Sequence, residues 1–237
     1  YVLLKEPLES LNIVFPNEEF DNMEEQNSNI SSTMVGKTGL SRIITYDTHY
    51  SPNELRYNYD YKPEIKEKYG NIFALEQLQN YSAKMYEICN IVKKSKGPII
   101  IYSFYIDGGV VPMALALEEM GFTRYGSAPY TKPLFKDCDA KPIDALTMKT
   151  KEEMEDGEEK FKQAKYVMIT GDKKYSPNNL EDLKYVTDSD NKYGENVKVI
   201  LITKAAAEGL DFKFIRQIHI LDPWYNFNRI RQIIGRA

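Results

Sequence analysis

The chain has 237 residues, long enough to bury a substantial core, and its 42% apolar and 28% charged side chains are those of a globular protein. A formal net charge of -4 excludes bulk coating of nucleic acid, so any such contact is expected to be local. Two cysteines (Cys89, Cys138) and two histidines (His49, His219) are too few and too scattered for a zinc knuckle, and the thiols read as reduced cysteines of an intracellular protein. No apolar run approaches a membrane span, and the start lacks the basic-then-apolar layout of a signal peptide. A chain beginning at Tyr1 and not at Met reads as a piece of a longer polypeptide.

Residues 1–75 read as a linker or N-terminal extension of irregular pattern. Leu11 to Phe15 and Leu40 to Tyr46 look like short strands, separated by a polar, acidic stretch from Asn17 to Ser32 that reads as a mobile loop. The spacing of Leu75, Leu78, Ala83, Met85, Ile88 and Val92 predicts a helix over Ala74–Lys94, ended by Gly97-Pro98. From Pro98 the rhythm changes to alternating strands and helices, the signature of a parallel sheet with crossover helices.

Ile99–Tyr102 is the first such strand. Gly108-Gly109 turns the chain into a helix with Pro112 in its first turn, stopped by Gly121. Strands over Tyr166–Thr170, Val197–Thr203 and Gln217–Leu221 follow, with a helix around Asn179–Thr187 and another from about Asn226. Residues 122–163 read as an insertion mixing aromatic, proline-rich and acidic pieces, the acidic run being a solvated face.

Chemistry concentrates near the end. The strand at 197–203 carries no charge after Lys198, as expected when both faces are covered. In open parallel sheets ligands gather beyond the carboxyl ends of the strands, where Thr203 offers a hydroxyl and Lys204 an ammonium. Three small alanines follow, then Gly209 for a tight turn and Asp211 with a carboxylate suited to a ribose hydroxyl or an ordered water. Phe227, Ile230 and Ile234 form the apolar face of a terminal helix, while Arg229, Gln232 and Arg236 repeat that spacing on another side. A rigidly held arginine can stabilise charge developing on a transferring phosphoryl group. Between residues 213 and 237, Lys213, Arg216, Arg229, Arg231 and Arg236 face only Asp222, a local basic surplus on an acidic chain.

Other features carry less. Val35-Gly36-Lys37-Thr38 lacks the glycine a phosphate loop needs, Ser31 standing there, and no strand precedes it. Glu118-Glu119 and Glu152-Glu153 fall in a helix and in the insertion, not after an apolar strand where a magnesium-holding pair would sit. No G-x-G-x-x-G supports a dinucleotide-binding oxidoreductase. Phe104 and Tyr105 have a base-stacking reading, with aromatic core packing favoured over it.

The ordered set Ile99-Ile-Ile-Tyr-Ser103-Phe104, Ile202-Thr203 through Gly209-Leu-Asp211, and Gln232-Ile-Ile-Gly235-Arg236 resembles motifs IV, V and VI of superfamily 2 helicases and translocases. Tyr102 to Gly109 and Ile218 to Trp224 are similar to the poxvirus-type helicases of large nucleocytoplasmic DNA viruses, the group that includes the early transcription factor small subunit. The resemblance covers about residues 80–237. It implies an α/β fold, RecA-like, a three-layer parallel sheet with crossover helices, over residues 76–237, as the second such domain of a DNA-dependent ATPase.

It implies that Gly209 and Asp211 touch the nucleotide sugar, that Arg236 reaches the γ-phosphate supported by Gln232, and that Ser103, Thr170, Thr203, Lys204 and Arg229 grip one nucleic-acid strand. The motif's second arginine would fall beyond Ala237, so motif VI reads as incomplete. ATP and Mg2+ would be bound mainly by a first RecA-like domain of the parent chain, leaving residues 1–237 inactive alone. The implied partners are nucleic acid, most simply DNA, that first domain, and viral transcription machinery, with no membrane; the implied setting is a virion or host cytoplasm. A non-catalytic docking module using the 122–163 insertion is the alternative.

Overall fold

The structure, a computed structural model, describes residues 2–18, 31–46, 49–51, 54–56, 58–155, 160–204, 211–222, 228, 231 and 234–235. Its centre is a five-stranded, all-parallel sheet. The strands are β5 (Ile99–Tyr102), β6 (Thr123–Tyr125), β7 (Lys165–Ile169), β8 (Val199–Ile202) and β9 (Gln217–Ile220), in the order β6-β7-β8-β5-β9. This is a RecA-like α/β arrangement. The two central strands, β8 and β5, are buried along their whole length, as strands covered on both faces must be.

The period-two alternation of side chains sorts the sheet into two cores. Ile99, Ile101, Met168, Val199 and Leu201 pack on one side with α5 (Ala83–Lys94) and α6 (Val111–Glu119). Ile100, Tyr102, Val167, Ile169, Ile200 and Ile202 pack on the other with Val186 of α7 (Asn179–Val186) and with Phe212. Helices on both faces make three layers. Near the amino-terminal ends of the strands, Lys198 is 1% exposed and its ammonium donates to the carbonyls of Ser95 and Ala145, both at 2.9 Å. Burial lowers its pKa to about 8.

The amino-terminal third departs from the linker reading. Ile13, Phe15, Leu40, Ile43, Ile44, Tyr59, Tyr61, Ile65, Ile72 and Phe73 belong to the same apolar core as α5 and α6. They cover α6, whose residues Val111 to Glu118 are all buried. The elements are α1 (Val2–Ser10), α2 (Gly36–Ile43), β1 (Ile44–Tyr46), β2 (His49–Ser51), β3 (Glu54–Arg56), β4 (Tyr59–Tyr61) and α3 (Pro63–Tyr69), with β1 pairing β4 and β2 pairing β3 in antiparallel ribbons. Leu11–Phe15 is not in a strand, and Leu40–Ile43 closes a helix before the chain extends at Ile44. Of the Asn17–Ser32 stretch, residues 19–30 lie outside those described.

The predicted helix over 74–94 is two, α4 (Leu75–Tyr81) and α5, broken at Ser82. The Ser82 hydroxyl accepts from the Met85 amide at 3.0 Å and so caps α5. The 122–163 segment, read as an insertion, opens with edge strand β6 and buries Leu134, Phe135, Ile143 and Ala145 in the core. Glu118 holds it there. Only 2% exposed, its carboxylate accepts from the amides of Leu134 (2.7 Å) and Phe135 (2.8 Å) and from the Tyr166 hydroxyl (2.5 Å).

Candidate functional site

Because the sheet is parallel, β5, β7, β8 and β9 release the chain at the same edge. The residues that follow them, Ser103, Thr170, Thr203 and Leu221, are stitched side by side. The Ser103 amide donates to Ile202 O (3.1 Å), that of Thr203 to Ile169 O (3.3 Å), and that of Leu221 to Tyr102 O (2.9 Å). Four loops therefore converge on one rim, the position at which open α/β sheets hold ligands.

A cleft of about 710 Å³ opens there, lined by Phe104, Ile106, Gly171, Asp172, Lys173, Thr203 and Lys204. Its lining is apolar at Phe104 and Ile106 and polar at Thr203, the Gly171 main chain, and two lysines against one aspartate. The Thr203 hydroxyl accepts from the Gly171 amide at 3.3 Å, tying the β7 and β8 loops together. The Lys204 ammonium stands 5.9 Å from the centroid of the Phe104 ring.

Thr203 and Lys204 thus line the cleft, whereas Ser103 and Thr170 do not present their hydroxyls to it. Ser103 is fully buried and its hydroxyl donates to Asp222. Thr170 is 1% exposed, its hydroxyl within 2.9 Å of the Ser176 hydroxyl and accepting from the Asp172 amide at 3.2 Å. Both hydroxyls shape the rim from within, and that of Thr203, a residue only 4% exposed, is likewise engaged, by the Gly171 amide. Asp211 is exposed, next to the buried Phe212. Gly209, Arg229, Gln232 and Arg236 lie outside the described residues.

Asp222 is the organising group that sequence reading left unassigned. It is 4% exposed and accepts from the Ser103 hydroxyl, the Phe104 amide (2.6 Å) and the Asn12 side-chain amide (3.0 Å). Burial raises its pKa, while the bonds from Ser103, Phe104 and Asn12 and the charge of Lys84 pull the other way. Asn12 also donates to Gly108 O (3.2 Å), so a residue of the amino-terminal segment braces the rim from 210 positions away. That distance along the chain leaves no local signal. Gly109 is required here, since a β-carbon on it would lie 1.9 Å from the Ser103 hydroxyl oxygen.

Val35-Gly36-Lys37-Thr38 starts α2 after a 3₁₀ turn, with no strand before it among the described residues, and the Glu9 carboxylate packs against Gly36. Among the described residues no group of three or more His, Cys, Asp or Glu side chains is placed to hold a metal ion. No helix among the described residues is long and apolar enough to cross a membrane.

Residues 144–237 match the model of the helicase conserved C-terminal domain. The chain is 27% identical over 216 residues to a protein of Acanthamoeba polyphaga mimivirus named as an ATP-dependent RNA helicase, covering 89% of this chain and 30% of that one. It is 30% identical over 183 residues to a termination factor NPH-I homolog of African swine fever virus, covering 73% and 26%. It is 41% identical over 56 residues to nucleoside triphosphatase I of Choristoneura fumiferana entomopoxvirus, covering 24% and 9%. The chain spans less than a third of the length of each of these relatives.

Proposed function

From a chain that carries the helicase C-terminal domain of viral helicase-type proteins, we propose that it is the strand-gripping, nucleotide-closing half of an ATP-driven nucleic-acid motor. The cleft at the carboxyl rim of the sheet takes the sugar-phosphate backbone of one strand. Thr203 and the Gly171 main chain offer polar groups to it, Lys173 and Lys204 the charge. Such contacts position phosphates without reading sequence. The carrying observation is a cleft at the carboxyl rim, lined from the ends of β5, β7 and β8, with two lysines against one aspartate in a protein whose net charge is negative.

In this reading the strand is DNA or RNA, with DNA as our working choice and a role in viral transcription as its setting. Arg236 acts as the arginine finger on the γ-phosphate with Gln232 supporting it, and Gly209 and Asp211 sense the nucleotide. Arg229 adds to the strand contact. ATP and Mg2+ are held mainly by another RecA-like domain, and closure of the two couples hydrolysis to stepping. The chain alone is then without magnesium-dependent ATPase activity. Turnover by residues 1–237 that survives Arg236→Ala would contradict this.

The nucleic-acid claim is tested by fluorescence anisotropy with a labelled single strand at stepped salt. Binding should weaken with salt, and the Lys173→Ala, Lys204→Ala double variant should flatten the log–log slope by about 1.4, two single-strand phosphate contacts at about 0.7 each. An unchanged slope would reject the cleft as the grip. For the docking alternative, Leu134, Phe135 and Ile143 of the 122–163 segment point into the core, while Leu146 is exposed.

A further inference from the structure

We propose that Asn12 is a positioning residue of the strand grip, acting through Asp222, so that the cleft keeps its shape only while the amino-terminal segment 9–12 is seated against the rim. This rests on the strand-grip reading above and extends it to what controls that site.

Every polar group of Asn12 is engaged, and on several different elements. Its side-chain nitrogen donates to Asp222 Oδ1 (3.0 Å) and to Gly108 O (3.2 Å), and its side-chain oxygen accepts from the Lys84 ammonium of α5 (3.3 Å). Its main-chain carbonyl accepts from the Ser82 hydroxyl, and its amide turns the chain at the end of α1 by donating to Glu9 O (3.0 Å). Two donors and an acceptor on one short planar group are what asparagine supplies. The residue is 1% exposed, so a partner left unpaired here meets little water in exchange.

Both donated bonds lead to the cleft, although Asn12 does not line it. Asp222 accepts from the Ser103 hydroxyl and the Phe104 amide, and Phe104 is part of the lining. Gly108 belongs to a single π-helical turn, Ile106–Val110, whose first residue is also part of the lining; such turns recur at functional sites. Glu9 closes on the same turn, since a β-carbon on Gly108 would lie 3.0 Å from its Cγ and Oε1. Lys84 in turn donates to the Leu221 carbonyl, tying the end of β9 to α5. One side chain thus sets the spacing between the turn after β5 and the turn after β9 and belongs to neither. Without it Asp222 and the π turn shift, and Phe104 and Ile106 with them, while the strands beneath stay in their own parallel ladder.

The experiment titrates residues 1–237 against a labelled oligothymidylate at stepped salt by anisotropy, with urea denaturation of each variant alongside. Wild-type binding should weaken with salt. Asn12→Ala should lower affinity by about 2- to 30-fold, the range for residues that touch no ligand but bias the element that does. Lys198→Met, at the opposite ends of the strands, is the control for lost stability alone and should bind as wild type. The Asn12→Ala, Asp222→Asn double variant should lose less than the product of the two single losses, because both act on one bonded unit. If Asn12→Ala does not fold, Asn12→Asp, which keeps the shape and the acceptor for Lys84 but neither donor, takes its place in the same comparison. No loss of affinity, an equal loss in Lys198→Met, or a double variant that loses the full product would each overturn the positioning role while leaving the strand grip standing. Wild-type binding without salt dependence would remove the grip, and the role of Asn12 with it.

Discussion

Glu118 offers the sharpest test of how the fold holds the segment after α6. Its two oxygens accept from two main-chain amides and a phenol in a site that is 2% exposed. Burial raises its pKa to about 7 from the usual 4.5, against the lowering effect of the Phe135, Tyr166 and Leu134 bonds. Below pH 4.5 both the folded and the unfolded chain are protonated here. As pH rises the unfolded chain ionises first, so this site's contribution to stability falls between 4.5 and about 7, by about 3 kcal/mol in all.

Glu118→Gln removes the titration but keeps only one acceptor oxygen, setting its amide against a main-chain N–H at a cost of about 1–3 kcal/mol. Urea denaturation followed by circular dichroism at pH 4 and pH 8 reads both effects. Wild type should be the more stable at pH 4, and its advantage should shrink by about 3 kcal/mol at pH 8. An advantage that stays constant or widens with pH would refute the reasoning. Glu118→Ala, leaving three donors unpaired, should cost at least about 3 kcal/mol at either pH.

Asp222→Asn sets its new amide against donors from Ser103, Phe104 and Asn12. It should lower stability by about 2 kcal/mol and weaken single-strand binding, seen by paired urea and anisotropy titrations; unchanged binding would detach Asp222 from the cleft. Gly109→Ala forces a β-carbon against Ser103 and should cost about 3 kcal/mol or prevent folding, with a wild-type melting curve contradicting the tight turn. Lys198→Met leaves the Ser95 and Ala145 carbonyls without their donor and should cost about 1–3 kcal/mol in the same urea assay, a neutral result contradicting it.

Where the sequence was readable, it was because a periodicity or a punctuation residue spoke for itself. The uncharged apolar runs at 99–102 and 199–202 are the two central strands, and Gly121, at φ +96°, stops α6 as a glycine should. Where it was not, packing over long separations decided. Asn12 carries no mark of its bond to Asp222, and β6 is three half-buried residues at a sheet edge, too short for a pattern. Ser103 and Thr170 look from the sequence like exposed hydroxyls at strand ends, and only the convergence of the loops shows them committed inward. Beyond Thr203 and Lys204, the residues that line the cleft are Phe104 and Gly171 to Lys173 from turns and Ile106 from a single π-helical turn, whose side-chain placement has no one-dimensional signature.

The central claim is spatial: a strand runs along the carboxyl rim of the sheet. Photo-crosslinking a single strand that carries 4-thiothymidine at successive positions, with peptide mapping of the adducts, reads this directly. Adducts should fall in 104–106, 171–173 and 203–204. Adducts confined to the opposite rim, in the segments that lead into β5 and β8 at 95–98 and 192–198, would contradict it.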